Sequence, residues 1–126
     1  MDTPDKQACC AAPTLIFPCS GGSDVGGISD KAGRELTRLG IGKMFCLAGI
    51  GGRVSGIMQA TEAAEKLVVI DGCPLHCAKN TFTLAGFEDF VHVDLSQAGL
   101  KKGEAPITDE NVSKAITQVR ETLAAD

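Results

Sequence analysis

The stretch "KLVVIDGCPLHC", residues 66–77, decides the reading of this chain. An apolar run of strand length ends at Asp71-Gly72, and two cysteines follow, Cys73 and Cys77. Lys66–Asp71 shows no polar alternation, as expected of a strand buried on both faces. Similar runs recur along the chain: "TLIF" (14–17), stopped by Pro18, then "KMFCLA" (43–48) and "DFVHVDL" (89–95). Helical spacing fills the intervals. Val25, Ile28, Ala32, Leu36 and Leu39 predict one helix ending at Gly40, and Val54, Ile57, Met58 and Ala64 a second over 53–64. Pro74 suits the first position of a third helix reaching Leu84. Thr108 caps a fourth, with Val112, Ile116, Val119 and Leu123 on one face and acids in its first turn.

Buried strands alternating with helices predict an α/β fold. It is a small three-layer sandwich, Rossmann-like or flavodoxin-like, with a mainly parallel sheet of about four strands. Residues 1–13, small and polar with two prolines, read as a flexible N-terminal tail, and 14–126 as a single α/β domain.

Of the 126 residues, 44% are hydrophobic and 22% charged, with a net charge of -4. That balance provides no basic footprint for nucleic acid or an anionic membrane, and without Trp or Tyr a base-stacking surface is not expected. No apolar run approaches the ~20 residues that span a bilayer, and the N-terminus lacks the pattern of a signal peptide. A cytoplasmic location is the default expectation. In a reducing compartment the six cysteines read as free thiols, metal ligands or redox groups.

Four of the six fall where such folds build sites. Cys19 follows the first strand, Cys46 lies in the second half of the second, and Cys73 and Cys77 follow the third. In a parallel sheet these positions share the carboxyl edge. With Cys73 at a helix N-cap, Cys77 lies one turn on and on the same face, at the helix end that favours thiolate. Four thiolates at tetrahedral angles make a closed zinc site. Taken alone, however, Cys46 in a strand also reads as ordinary core.

"IDGCPLHC" resembles the signature of the DGC-domain family, named for the Asp-Gly-Cys that here is Asp71-Gly72-Cys73. "PCSGGSDVGGISDKAGREL" and "FCLAGIGG" are similar to that family as well, so the resemblance runs over roughly residues 15–123. It implies zinc binding by four cysteines, which match Cys19, Cys46, Cys73 and Cys77. It implies no particular reaction.

Other residues keep two readings each. His76 is an alternative ligand to Cys46, although a helical neighbour of Cys77 points off the metal-facing side. His92 reads as a hydrogen-bonded core histidine. Asp71 is either a turn residue or a partner that orients a ligand. Cys9 and Cys10 are either a metal-capturing or redox-sensitive tail, or an incidental pair. "CSGGSDVGG" lacks the arginine of a C-x5-R phosphatase loop, since Val25 stands there, and "AGIGGRVSG" has Val54 where a dinucleotide loop needs glycine or alanine.

The expected function is therefore a zinc-binding protein with one Zn²⁺ on four cysteines, for metal storage, delivery, or redox or metal sensing. A site closed by four thiolates leaves no position for substrate water, so an enzyme is not the first expectation. The expected partners are the metal ion and a protein that exchanges metal or sulfur with it. An iron–sulfur cluster is the alternative cofactor. The alternative function is a sulfur-transfer or redox enzyme with Cys19 or Cys73 as nucleophile and Cys77 resolving.

Overall fold

A computed structural model describes residues 14–126. The tail expected over 1–13, with Cys9 and Cys10, lies outside these residues.

Four strands form one sheet, all parallel: β1 (Thr14–Pro18), β2 (Lys43–Met44), β3 (Lys66–Asp71) and β4 (Val91–Asp94), in the order β2-β1-β3-β4. Five α-helices, α1 (Asp24–Arg38), α2 (Leu47–Gly51), α3 (Ser55–Ala63), α4 (Cys77–Leu84) and α5 (Asp109–Ala125), and one 3-10 helix, Leu95–Ala98, complete the described chain. The α/β class and the parallel sheet are as predicted, and the layers are those of a three-layer sandwich.

Because strand side chains alternate between faces, β1 and β3 divide their apolar residues between two cores. Ile16, Val68 and Ile70 pack with α1 and α5, through Val25, Ile28, Ala32, Leu36, Ala115 and Val119. Leu15, Phe17, Leu67 and Val69 pack on the opposite face with Ile50, Ala78 and Phe82 of α2 and α4. Phe17 and Phe82 are both fully buried and meet edge to face at 4.7 Å. Each contributes roughly 1.5–3 kcal/mol through burial alone. This doubled burial explains why the central strands carry no polar alternation.

Local signals at the helix ends match the sequence well. Ser23 caps α1 by accepting from the Gly26 N–H at 3.2 Å, and Thr108 caps α5 by accepting from the Asn111 N–H at 3.2 Å. Leu39, expected on the buried face of α1, is 44% exposed because the helix ends at Arg38 and Gly40 turns the chain at φ 78°.

Three boundaries differ from expectation. β2 has two residues rather than six: after Phe45, whose N–H still reaches the Ile16 carbonyl at 2.8 Å, the chain turns into α2. Cys46 is thus not a strand core residue but the N-cap of α2, and it is exposed. α4 starts at Cys77, not Pro74: residues 73–76 form a turn in which the His76 N–H donates to the Cys73 carbonyl at 3.2 Å. His76 itself is left-handed, with φ 58° and ψ 44°. β4 is shorter than the expected 89–95, covering Val91–Asp94. Among the described residues no helix is long and apolar enough to cross a membrane.

Candidate functional site

The ladder register arranges the carboxyl edge. Pro18 is the partner of Ile70, and Asp71 of Asp94. The Cys19 N–H continues the β1–β3 ladder by donating to the Ile70 carbonyl at 2.8 Å. One step further along the register sets Cys19 beside Asp71. The edge therefore reads Cys46 after β2, Cys19 after β1, Asp71 at the end of β3 and Asp94 at the end of β4.

Asp71 is the best-anchored of these groups. Its carboxylate is buried, at 1% exposure, and accepts from the Ala78 N–H at 2.8 Å, the Lys79 N–H at 3.0 Å and His92 Nε2 at 2.7 Å. The first turn of a helix has amides without partners. His76, at the N-cap, makes no side-chain cap bond, so the end of β3 caps α4 in its place. Asp71 thereby holds the helix that begins with Cys77. Gly72 is required by close approach: a Cβ there would lie 2.6 Å from the Val25 carbonyl oxygen in the first turn of α1.

A carboxylate only accepts, so His92 carries its proton on Nε2. The same holds for His76, whose Nε2 donates to Asp94 Oδ2 at 2.8 Å. The two imidazoles meet edge to face with centroids 4.7 Å apart. Burial alone would raise the Asp94 pKa. Hydrogen bonds from His76 and from the Ser96 hydroxyl and amide outweigh it and hold the carboxyl below its ordinary range. The sequence carries a signal for this pairing in "VHVD", where alternation sends His92 and Asp94 to one face of β4 beside Asp71.

Cys19 is half-buried against the α2/α4 core, with the backbone amides of Gly21 and Gly72 on the side that favours its thiolate. Burial pushes this thiol up, and the neighbouring charges of Asp71 and Cys77 add to the rise against the pull of the two amides. It is a protonated thiol at neutral pH. The exposed Cys46 sulfur accepts from the Gly49 N–H at 3.3 Å. Cys77 is exposed as the first residue of α4. Cys73 is half-buried and packs against the other core, that of α1 and α5. The expected sharing of one helix face by Cys73 and Cys77 fails because Cys73 precedes the helix by a four-residue turn.

A cleft of about 540 Å³ brings Cys19 and Cys46 together beside Phe45, Asp30 and Arg34. Asp30 links its rim, accepting from the Ser20 hydroxyl at 2.7 Å and from Arg34 Nε at 2.8 Å. Cys73 and Cys77 do not line this cleft. As donors the four thiols suit Zn²⁺. Among the described residues, however, no three His, Cys, Asp or Glu side chains are grouped so as to hold a metal ion. The donor chemistry fits zinc and the arrangement is not a preformed cage.

The family profile described as DGC domain matches residues 15–119. The chain belongs to the DGC-domain family. This DGC domain is also similar to the "Anaerobic and virulence modulator AnvM" of Pseudomonas aeruginosa, with 34% identity over 88 residues, covering 70% of this chain and 67% of that protein. No solved structure matches it.

Proposed function

We propose that this DGC domain is a regulatory protein that takes up and releases a soft divalent cation, Zn²⁺ foremost, at Cys19, Cys46, Cys73 and Cys77. A protein partner exchanges the metal with it. The regulatory part of this reading is supported by the similarity to a relative named a modulator. The metal part is supported by four thiols at one sheet edge and by the electrostatics of Cys19. Burial pushes this thiol up and the buried Asp71 carboxylate adds to the rise, and that carboxylate favours a cation beside the sulfur.

One observation carries the choice of uptake and release over a structural metal. Cys19 lies against one core and Cys73 against the other. A site that gathers its ligands only as the metal enters loses part of its binding energy to ordering the loops. It exchanges more readily than a closed structural cage. The two cores supply an ordinary fold without metal, unlike a zinc finger.

The cleft beside Cys19 favours a second reading, sulfur or redox chemistry on that thiol, whose raised pKa argues against a resting nucleophile. Anaerobic metal analysis with a thiol count on the purified protein separates the two. One zinc and four protected thiols are expected. Ser at any one of Cys19, Cys46, Cys73 or Cys77 is expected to weaken zinc by roughly tenfold or more, whereas Ser at both Cys9 and Cys10 leaves it unchanged. No metal and one fast-reacting thiol would replace the metal reading with the enzyme. A brown protein would replace zinc with an iron–sulfur cluster.

A further inference from the structure

Among the described residues, the non-glycine positions with positive φ are His76 and Arg53, the latter at 56°. A residue with a Cβ is strained there and glycine is not. Gly51 and Gly52 directly precede Arg53, and Gly52 has a φ of -87° that any residue adopts. The chain thus has glycine where the backbone does not need it and arginine where the backbone resists it. The side chain accounts for this placement.

The guanidinium binds the carboxyl ends of two helices. Nη1 donates to the carbonyls of Ile50 at 2.7 Å and Gly51 at 3.2 Å, in the last turn of α2. Nη2 donates to the carbonyl of Leu84 at 3.0 Å, the last residue of α4. The Gly51 and Leu84 carbonyls lie at the open ends of their helices, the Ile50 carbonyl also accepts from the Arg53 N–H at 3.2 Å, and a cation suits the negative end of each dipole. Cys46 caps the opposite end of α2, and Cys77 opens α4. One side chain therefore joins the far ends of the two helices that carry these thiols. With five residues, α2 is too short to hold its orientation alone.

We propose that Arg53 is a positioning residue of the thiol site, keeping Cys46 in register with Cys77. Its role toward metal rests on the metal reading above, whereas its coupling of the two helices does not.

The test uses the full chain with Arg53→Ala and Arg53→Lys. Hydrogen exchange without metal is expected to show residues 47–52 and 77–85 losing protection together in Arg53→Ala, with the strands and α5 unchanged. Loss confined to 47–52 would reduce Arg53 to a cap of its own helix and overturn the proposal. Zinc affinity, from competition with a chromophoric chelator, is expected to fall roughly tenfold or more. The thiolate-to-metal charge-transfer band of the cadmium-loaded protein is expected to weaken with it, which a purely structural role would not produce. Arg53→Lys should stay impaired, since one ammonium does not reproduce the fork that reaches both helices. Wild-type zinc affinity in Arg53→Ala also overturns the proposal. If the wild-type chain binds no zinc while both segments loosen, the metal reading falls and the helix coupling stands. If the alanine variant unfolds, Arg53→Gly removes the strain together with the guanidinium and gives the same readings.

Discussion

Asp71→Asn changes one oxygen of a buried carboxylate and keeps its volume, so it isolates what the charge does. The remaining oxygen keeps one donor, the Ala78 N–H. The new amide NH₂ then faces the Lys79 N–H and the Nε2–H of His92, donors against a donor. His92 can move its proton to Nδ1 and accept, but the Lys79 N–H is left without a partner. Hydrogen bonds to an ionised group contribute roughly 1.5–3 kcal/mol each, and an orphaned donor costs up to about 1–3 kcal/mol where it is buried and less at the part-buried Lys79 amide. These terms overlap, so a net loss of about 2–4 kcal/mol is expected, a large part of the ~5–15 kcal/mol typical of a domain. Asp71→Ala should cost more, because all three donors lose their acceptor at 1% exposure. With no Trp or Tyr in the chain, urea unfolding is best followed by far-UV circular dichroism. A double-mutant cycle with His92→Gln should give a coupling of about 1 kcal/mol or more. A loss below about 1 kcal/mol at unchanged m-value, or a cycle that closes to zero, would refute Asp71 as the cap of α4.

Two further outcomes follow from the same edge. Gly72→Ala should cost roughly 1–3 kcal/mol, because the new Cβ meets the Val25 carbonyl oxygen at 2.6 Å and carbon at 2.7 Å, backbone atoms that no rotamer moves. Gly22→Ala, with nothing within 4 Å of its Cβ, serves as the control, and equal melting temperatures for the two variants would contradict the packing argument. Asp94, whose pKa is lowered in the fold, contributes stability that is fully present above its unfolded value near ~3.9 and lost as pH falls through the lower folded value. Unfolding measured from pH 5 downward should show a shallower acid decline in Asp94→Asn than in wild type, and parallel declines would show that the His76 and Ser96 bonds do not stabilise the carboxylate.

Much of this architecture is legible in the residues because burial on two faces leaves a mark. A strand such as Leu67–Ile70, buried throughout, excludes polar alternation, and a parallel sheet then sends Cys19, Cys46 and the residues after Asp71 to one edge. The missing detail concerns local competition that an apolar run does not encode. "MFCLA" has strand composition, yet the Cys46 side chain bonds the Gly49 amide and starts a helix. Gly49 permits that helix to lie against α3, where a Cβ would fall 2.2 Å from Ile57 Cδ1. Likewise Pro74 suits a helix start, but Asp71 already holds the amides of Ala78 and Lys79, which sets the start at Cys77. Both signals depend on a partner elsewhere in the chain, and periodicity records only neighbours along it.

The Asp-Gly-Cys run then has a physical account that spacing alone did not supply. Asp71 fastens β3 to α4, Gly72 lets the chain pass under the first turn of α1, and Cys73 emerges against the α1/α5 core. The first two residues are held by backbone contacts that leave little room to move, and the first turn of α4 is tied to Asp71 through the Ala78 and Lys79 amides. The freedom in this segment is therefore confined to residues 73–76, where one backbone bond from the His76 amide to the Cys73 carbonyl closes the turn and Leu75 is 66% exposed. Any gathering of Cys73 toward Cys19 has to be made by that turn against the left-handed conformation of His76 and its bond to Asp94. A change at Asp94 should consequently alter how readily the thiols come together while β3 and α4 stay fastened by Asp71.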